Sequence, residues 1–402
     1  MPENETLAAV GRVTLKPGQE KRVLAGHNWV FSNEIAKIDP PAEAGAVVDV
    51  VSAGGALVGS AFYNPRSLIA CRMLALRERA APDTEFFLKR LAAAKAFRER
   101  VRPGEHAYRL CFGESDGLPG LVVDRYGDVL VLQVLSAGIE ARLAEVQAAL
   151  EELLKPRAIF LKNDHRARQL EGLPLENRLL SGHLPDKAQI SEGGLRFSAP
   201  LSEGQKTGFY FDQAENRAFL RPYFKDRVVL DLYCYTGAFA INAAKFGAKA
   251  ALGIDSSGPA IEAARENAAL NGVEDIAEFE EDDAEAALKS FAAGQQPFKP
   301  DMILLDPPSL VPSKKHLTKA LRVYSKLNAQ ALRALPKGGL LATSTCSHHV
   351  SRELFVEMLR LAGAQAQVPA RLLSLRAQAS DHPILLAMPE TEYLHFALLE
   401  VL

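Results

Sequence analysis

The chain has 402 residues, a length that implies two or three domains, and 48% of them are hydrophobic, ample for ordinary cores. A formal net charge of −2 argues against a purely electrostatic nucleic-acid coat, although a local basic face remains open. Cys71, Cys111, Cys234 and Cys346 lie far apart without paired metal spacing, the N-terminus is acidic with no signal-like apolar region, and no run of eighteen apolar residues occurs. The expectation is a reduced, cytoplasmic chain with no leader, membrane span or metal site.

In chain order, residues 1–75 read as short strands. Gly11–Leu15 comes first, then a turn at Lys16-Pro17-Gly18. Two apolar runs, 46–51 and 56–63, are bridged by Gly54-Gly55, the pattern of a hairpin, and 71–76 closes this small β domain. Residues 76–195 form an α+β middle domain. It has a helix near 84–99 with Phe87, Leu91 and Ala94 at helical spacing, then strands at 108–112, 120–126 and 128–134, a helix at about 139–154 and a strand at 158–162. From about 196 to 402 strand and helix alternate. Strands are expected at 228–232, 250–255, 302–305 and 339–343, and helices at about 238–246, 257–270, 316–335 and 351–361. This predicts an α/β fold with a doubly wound sheet.

Three strand-end turns carry the chemistry. Asp231-Leu232-Tyr233-Cys234-Tyr235-Thr236-Gly237 runs from a strand into a small-residue turn, where a ligand can approach the backbone and a helix N-terminus. It has neither GxGxxG nor a P-loop lysine, so a dinucleotide fingerprint and a phosphate cradle are both absent. Asp255 ends the next strand, placed to accept from a ribose hydroxyl pair, and Asp282-Asp283-Ala284 follows the third, placed to frame an adenine. Taken singly, each acid reads equally well as a cap or a solvated turn. In order, they point to a nucleoside-bearing cofactor. Asp306-Pro307-Pro308 and Thr345-Cys346-Ser347-His348-His349 end two later strands, where substrates bind in open sheets.

The turns D-L-Y-C-Y-T-G-A-F, D-P-P-S-L and T-C-S-H-H-V, with the late Asp381-His382-Pro383, resemble bacterial S-adenosylmethionine-dependent methyltransferases. The specific resemblance is to the cytosine-C5 methyltransferases of large-subunit ribosomal RNA. It covers nearly the whole chain, including Lys21–Phe31 in the first domain and Gly208–Gln213 ahead of the cofactor turn. It implies an N-terminal PUA-like domain, a small middle domain and a C-terminal Rossmann-like class I methyltransferase domain, and it places a homodimer among the possibilities. By it, Phe211, Asp212, Tyr233, Tyr235, Thr236, Gly237 and Asp255 hold S-adenosylmethionine, Asp283 lies by the adenine, Asp306 by the methyl end, and Cys346 is the nucleophile. The chain departs at Ser309-Leu310, where many relatives carry Lys-Phe. It also departs at Arg217, four residues past Gln213, where many relatives place arginine directly after the glutamine.

Cytosine carbon 5 is too weak a nucleophile to accept a methyl group unaided. A thiolate added at carbon 6 makes it enamine-like, which explains the need for cysteine. Asp306, on a turn stiffened by two prolines, could hydrogen-bond near cytosine N3 or hold a water that removes the carbon-5 proton. The plainer readings are a strand-end cap for Asp306 and a buried small hydrophobe for Cys346. A flipped or single-stranded base is implied. Lys314, Lys315, Lys319 and Arg322 form a basic stretch beside this site, and Lys21, Arg22, His27 and Trp29 a second candidate RNA surface. Their plainer readings are a solvated helix start and a small core. The partner is 23S ribosomal RNA or a large-subunit precursor. The rival functions are a guanine or exocyclic-amine RNA methyltransferase without covalent catalysis, and a non-catalytic RNA-binding assembly factor.

Overall fold

The computed structural model describes residues 9–202, 207–311 and 314–402. They fall into two units, the first running to Ala188 with Pro200–Gly208 and Ser380–Thr391, the second made of Gln189–Ala199, Phe209–Ala379 and Glu392–Leu402.

The first unit opens with β1 (Gly11–Leu15), the short α1 (Glu20–Leu24), β2 (Trp29–Phe31), β3 (Ile35–Asp39), β4 (Val47–Val51), β5 (Leu57–Tyr63) and β6 (Ile69–Leu76). They form one sheet in the order β2-β6-β5-β4-β1-β3. The β4–β5 hairpin turns through Gly55 at φ +86°, a conformation that glycine adopts without a Cβ clash. Its core is aliphatic and tight: Val13, Leu15, Val30, Val48 and Val50 are each 0% exposed.

A second sheet follows, in the order β11-β10-β9-β8-β7. Its elements are α2 (Thr84–Val101), β7 (Ala107–Phe112), β8 (Leu121–Tyr126), β9 (Val129–Val134), α3 (Ala137–Glu140), α4 (Leu143–Leu154), β10 (Ala158–Asn163), α5 (Ala167–Leu170) and β11 (Glu176–Gly182). Asp83 caps α2 by accepting from the Phe86 amide. The single helix expected over 139–154 is two helices, because Arg142 leaves helical geometry at φ −123°. The edge strand β11 escaped the sequence reading because residues 176–179 are all exposed and carry no alternation.

The hairpin strands β12 (Lys187–Glu192) and β13 (Leu195–Pro200) pair with each other around Gly193-Gly194, both at positive φ. The second unit then runs α6 (Ala214–Leu220), β14 (Val228–Leu232), α7 (Ala238–Lys245), β15 (Ala250–Asp255), α8 (Gly258–Asn271), β16 (Ala277–Glu281) and α9 (Ala284–Ala292). It continues with β17 (Met302–Leu305), α10 (Leu317–Ala334), β18 (Leu340–Thr345), α11 (Arg352–Ala366), β19 (Ala370–Arg376) and β20 (His395–Val401). The seven strands order as β16-β15-β14-β17-β18-β20-β19, with β20 antiparallel to both neighbours. This is the doubly wound sheet that the alternation predicts. β20 was missed because it lies between two strands and its apolar run has no period of two.

Leu230, Ile303 and Leu341 from the sheet and Phe355 from α11 are 0% exposed in one core. Each such side chain contributes about 1.5–3 kcal/mol by leaving water. Truncating Leu341 to alanine would cost about 2–5 kcal/mol, enough to loosen the strand that leads to Cys346.

Candidate active site

Strand order reverses between β14 and β17, and ligands of open α/β sheets bind beyond the strand ends at such a switch. The turn after β14 begins there. Tyr233, Tyr235 and Gly237 have φ of +63°, +49° and +78°, so its backbone is coiled tightly before α7 begins. Two non-glycine residues in that conformation are strain held by their surroundings. The Tyr235 amide donates to Asp255 Oδ2 at 3.0 Å, and the Cys234 amide to the Ile254 carbonyl at 3.1 Å. Gly237 is required by space as well as by angle, since a Cβ there would meet Phe279 Cε1 and Cζ at 2.7 Å.

Asp255, half-buried at the end of β15, accepts through both oxygens, from Tyr235 N and from Ser257 N at 3.0 Å each. Each oxygen keeps a further lone pair for a hydroxyl. Asp231 is 1% exposed and accepts from the Ala240 amide at 3.0 Å. Burial first, then the charges of Asp306 and Asp255, push its carboxyl up to about 8. Tyr233 is pushed up to about 12, by burial first and then by Glu285 and Asp283. Thr236 is buried, and its carbonyl accepts from Asn267 at 3.2 Å. Asp283 is exposed and caps α9 through the Ala286 amide at 2.7 Å. A carboxylate at a strand end, a tightly coiled backbone turn and a glycine that no side chain can replace fit a nucleoside cofactor such as S-adenosylmethionine.

The second group is built on β17 and β18, which pair in parallel up to Leu305↔Thr343. Asp306 follows the first strand directly, and Cys346 the second. Asp306 accepts from Ser344 Oγ on one oxygen and from Gln213 Nε2 on the other, the latter at 3.1 Å. The orientation of the glutamine amide is fixed from behind. Arg376 Nε, which can only donate, gives to Asn216 Oδ1 at 3.0 Å, and Asn216 Nδ2 gives to Gln213 Oε1 at 2.7 Å. Cys346 is half-buried, whereas Cys71, Cys111 and Cys234 are buried. Burial holds those three thiols well above the ordinary range. His348 is exposed and its ring lies 5.2 Å from that of Tyr393.

Tyr210 joins the two groups. Its ring meets that of Tyr235 edge-on at 5.3 Å. Its phenol is pushed up by burial first and then by Tyr235, Asp212, Asp306 and Cys346, so cofactor turn, aspartate and thiol all lie within its electrostatic reach. The flanking residues are occupied internally: Phe211 is 2% exposed, and Asp212 accepts from the Tyr393 hydroxyl at 2.7 Å. Arg217, read from sequence only as a departure, is 2% exposed. It pairs with both oxygens of Glu192 at 2.7 Å and donates to the Tyr210 carbonyl at 2.9 Å, fixing this segment to β12. Tyr210, Gln213, Asn216 and Ser344 were missed as site residues. The Gly208–Gln213 stretch held the signal for the first two, and nothing local marked the others.

Of the basic stretch, Lys315, Lys319 and Arg322 are exposed at helical spacing on and just before α10, and the Lys314 side chain lies outside the described residues. In the first unit Lys21 is exposed, while three neighbours are held internally. Arg22 grips both oxygens of Glu34 at 2.8 Å, His27 is 5% exposed against Arg22, and Trp29 Nε1 donates to Glu114 at 2.8 Å. Among the described residues no group of three His, Cys, Asp or Glu is placed to hold a metal, and no helix is long and apolar enough to cross a membrane.

Residues 13–76 match the PUA-like domain family, and residues 116–365 the S-adenosylmethionine-dependent methyltransferase family. Similar proteins include the ribosomal RNA large subunit methyltransferase I of Tolumonas auensis, 39% identical over 387 residues, and that of Erwinia tasmaniensis, 36% identical over the same length. Each alignment covers 95% of this chain and 97% of the relative. Among solved structures, a putative SAM-dependent methyltransferase from Streptococcus mutans has a TM-score of 0.83 at 21% identity, covering 97% of this chain and 100% of that one. A putative methyltransferase complexed with SAH has a TM-score of 0.84 at 21% identity over the same shares. These two show the shared fold.

Proposed function

The chain belongs to the ribosomal RNA large subunit methyltransferase I family of S-adenosylmethionine-dependent enzymes, and we propose that it methylates carbon 5 of a cytosine in 23S ribosomal RNA through a cysteine adduct. One observation carries this reading: the half-buried thiol of Cys346 follows the strand beside the one that leads to Asp306, and Ser344 ties the two turns together.

When bound, S-adenosylmethionine supplies a methyl group on a sulfonium. Tyr233–Gly237 and Asp255 would hold its nucleoside. The protein's own residues do the rest. The Cys346 thiolate adds to carbon 6, which moves the ring's electron pair toward carbon 5 and makes that carbon nucleophilic. After carbon 5 is methylated, a base takes its proton, the C5–C6 double bond re-forms, and the sulfur leaves with its electron pair. Asp306, held by Ser344 and Gln213, would accept from the base's amino edge or hold the water that takes that proton.

Residues 1–75 would grip RNA through the PUA-like surface around Lys21, 76–195 would form the middle module, and 196–402 the transferase. Lys315, Lys319 and Arg322 would contact phosphates, positioning the strand without reading it. The setting is the cytoplasm, where ribosomal RNA and reduced thiols meet. Unmodified 23S RNA incubated with methyl-labelled cofactor and digested to nucleosides tests the reading. Label in 5-methylcytidine supports it; label in guanosine, or none, overturns it.

A further inference from the structure

We propose that Tyr324 is a positioning residue whose hydroxyl clamps the Asp306 turn to the Cys346 turn. This rests on the reading above for what the two turns do, but the clamp itself is a matter of geometry. Backbone pairing between β17 and β18 ends at Leu305↔Thr343, one residue before Asp306 and three before Cys346. Beyond that point side chains must hold the register. Ser344 holds Asp306 itself. Pro308 and Leu310 of one turn and Ser347 of the other meet at a single phenol.

Tyr324 lies on α10 and is 1% exposed. Its hydroxyl accepts from the Leu310 amide at 3.2 Å and lies 3.3 Å from the Pro308 carbonyl, both on the aspartate turn. It also lies 2.9 Å from Ser347 Oγ, on the residue after the cysteine. Ser347 is 0% exposed and reaches back across to Ser309 Oγ at 3.0 Å, while its amide donates to Thr345 Oγ1 at 3.3 Å. A phenol has one proton and two lone pairs, so it can serve the Leu310 amide and Ser347 together. Burial, the largest influence on this phenol, keeps it protonated, and Cys346 is among the charges it senses. Phenylalanine would fill the same apolar space, yet the hydroxyl here makes polar contacts to Pro308, Leu310 and Ser347 on the two turns and to the Thr345 side chain that precedes the cysteine. A nucleophile and its acidic partner on separate loops need such a fixed spacing, because displacements near 1 Å can cost about a hundredfold in rate.

The test uses the full chain with Tyr324→Phe, Ser347→Ala and the double variant. Expected for Tyr324→Phe is a fall in kcat of about 10- to 100-fold, with KM for RNA and the dissociation constant for S-adenosylhomocysteine within about threefold of wild type. The double variant should lose less than the two single losses combined, since the Tyr324–Ser347 hydrogen bond is cut by both. Hydrogen exchange, read without substrate, should speed up together in peptides covering 306–311 and 345–350. Ser347→Ala gives the same readouts if the tyrosine variant folds poorly. Wild-type kcat in both single variants overturns the clamp. So does a loss matched by equally weakened cofactor binding, additive losses in the double variant, or exchange that changes in one turn alone. If the wild type makes no 5-methylcytidine but both turns still loosen together, the clamp stands and the proposed reaction falls.

Discussion

Two turns follow parallel strands of one sheet, and each carries a cysteine, but they are built for different tasks. The turn after β14 offers its backbone: three residues at positive φ, amides tied to Asp255 and Ile254, and a cysteine that is 7% exposed. Burial first, and then the charges of Asp231 and Asp255, keep that Cys234 thiol protonated. The turn after β18 offers a side chain: its backbone has no positive φ, its flanking Thr345 and Ser347 are buried, and Cys346 between them is reachable. A cysteine at a strand end is therefore not a nucleophile by position. The environment that the turn builds around it decides.

The largest effect should separate these two thiols. Cys346→Ala is expected to lower methyl transfer on the order of a thousandfold or more while leaving cofactor affinity intact. Cys234→Ala should stay within about tenfold of wild type in the same labelled-methyl assay, since it removes one small packing group. Equal losses would break the comparison. Next comes Gly237→Ala, which forces a Cβ to 2.7 Å from Phe279 at φ +78°. About 1–3 kcal/mol of strain there should weaken S-adenosylhomocysteine binding by roughly tenfold or more in calorimetric titration. Asp255→Asn keeps the shape but loses the charge that serves Tyr235 and Ser257, and a loss of about tenfold in the same titration is expected. A wild-type affinity would remove Asp255 from the cofactor site.

The smallest effect concerns stability. Folded Asp231 titrates at about 8 against an ordinary 3.8, because burial disfavours its charge. Between those values the folded chain holds a proton that the unfolded chain has lost, so this group's stabilisation is present at low pH and fades as pH rises through that window. Asp231→Asn should flatten the fall of the melting midpoint between about pH 5 and 8. An unchanged slope would mean the carboxyl is ionised throughout.

Much of the second unit was legible because its strands and helices alternate and its turns carry small residues. The strands at 228–232, 250–255 and 302–305 fall where the sequence places them, whereas the one expected at 339–343 runs two residues further, to Thr345. What escaped was written in partners distant along the chain. Gln213 meets Asp306 across 93 positions and Ser344 across 131. Nothing along the chain marks Tyr324 on α10 until its hydroxyl is seen against two turns. Arg217 looked like a misplaced motif residue and is instead the buried partner of Glu192. Among the front-surface residues, the sequence marks Arg22 and Trp29 as available polar and stacking groups, but it cannot show Glu34 and Glu114 occupying them.

The most direct test of the covalent account is a trap. RNA carrying 5-fluorocytidine at the target has no proton to lose from carbon 5, so the enzyme that adds to carbon 6 and methylates carbon 5 stays attached. The account predicts a stable protein–RNA adduct whose linked peptide contains Cys346, formed only with cofactor and absent in Cys346→Ala. Efficient formation of 5-methylcytidine on normal RNA with no adduct on the fluorinated one, or an adduct at another residue, would contradict it.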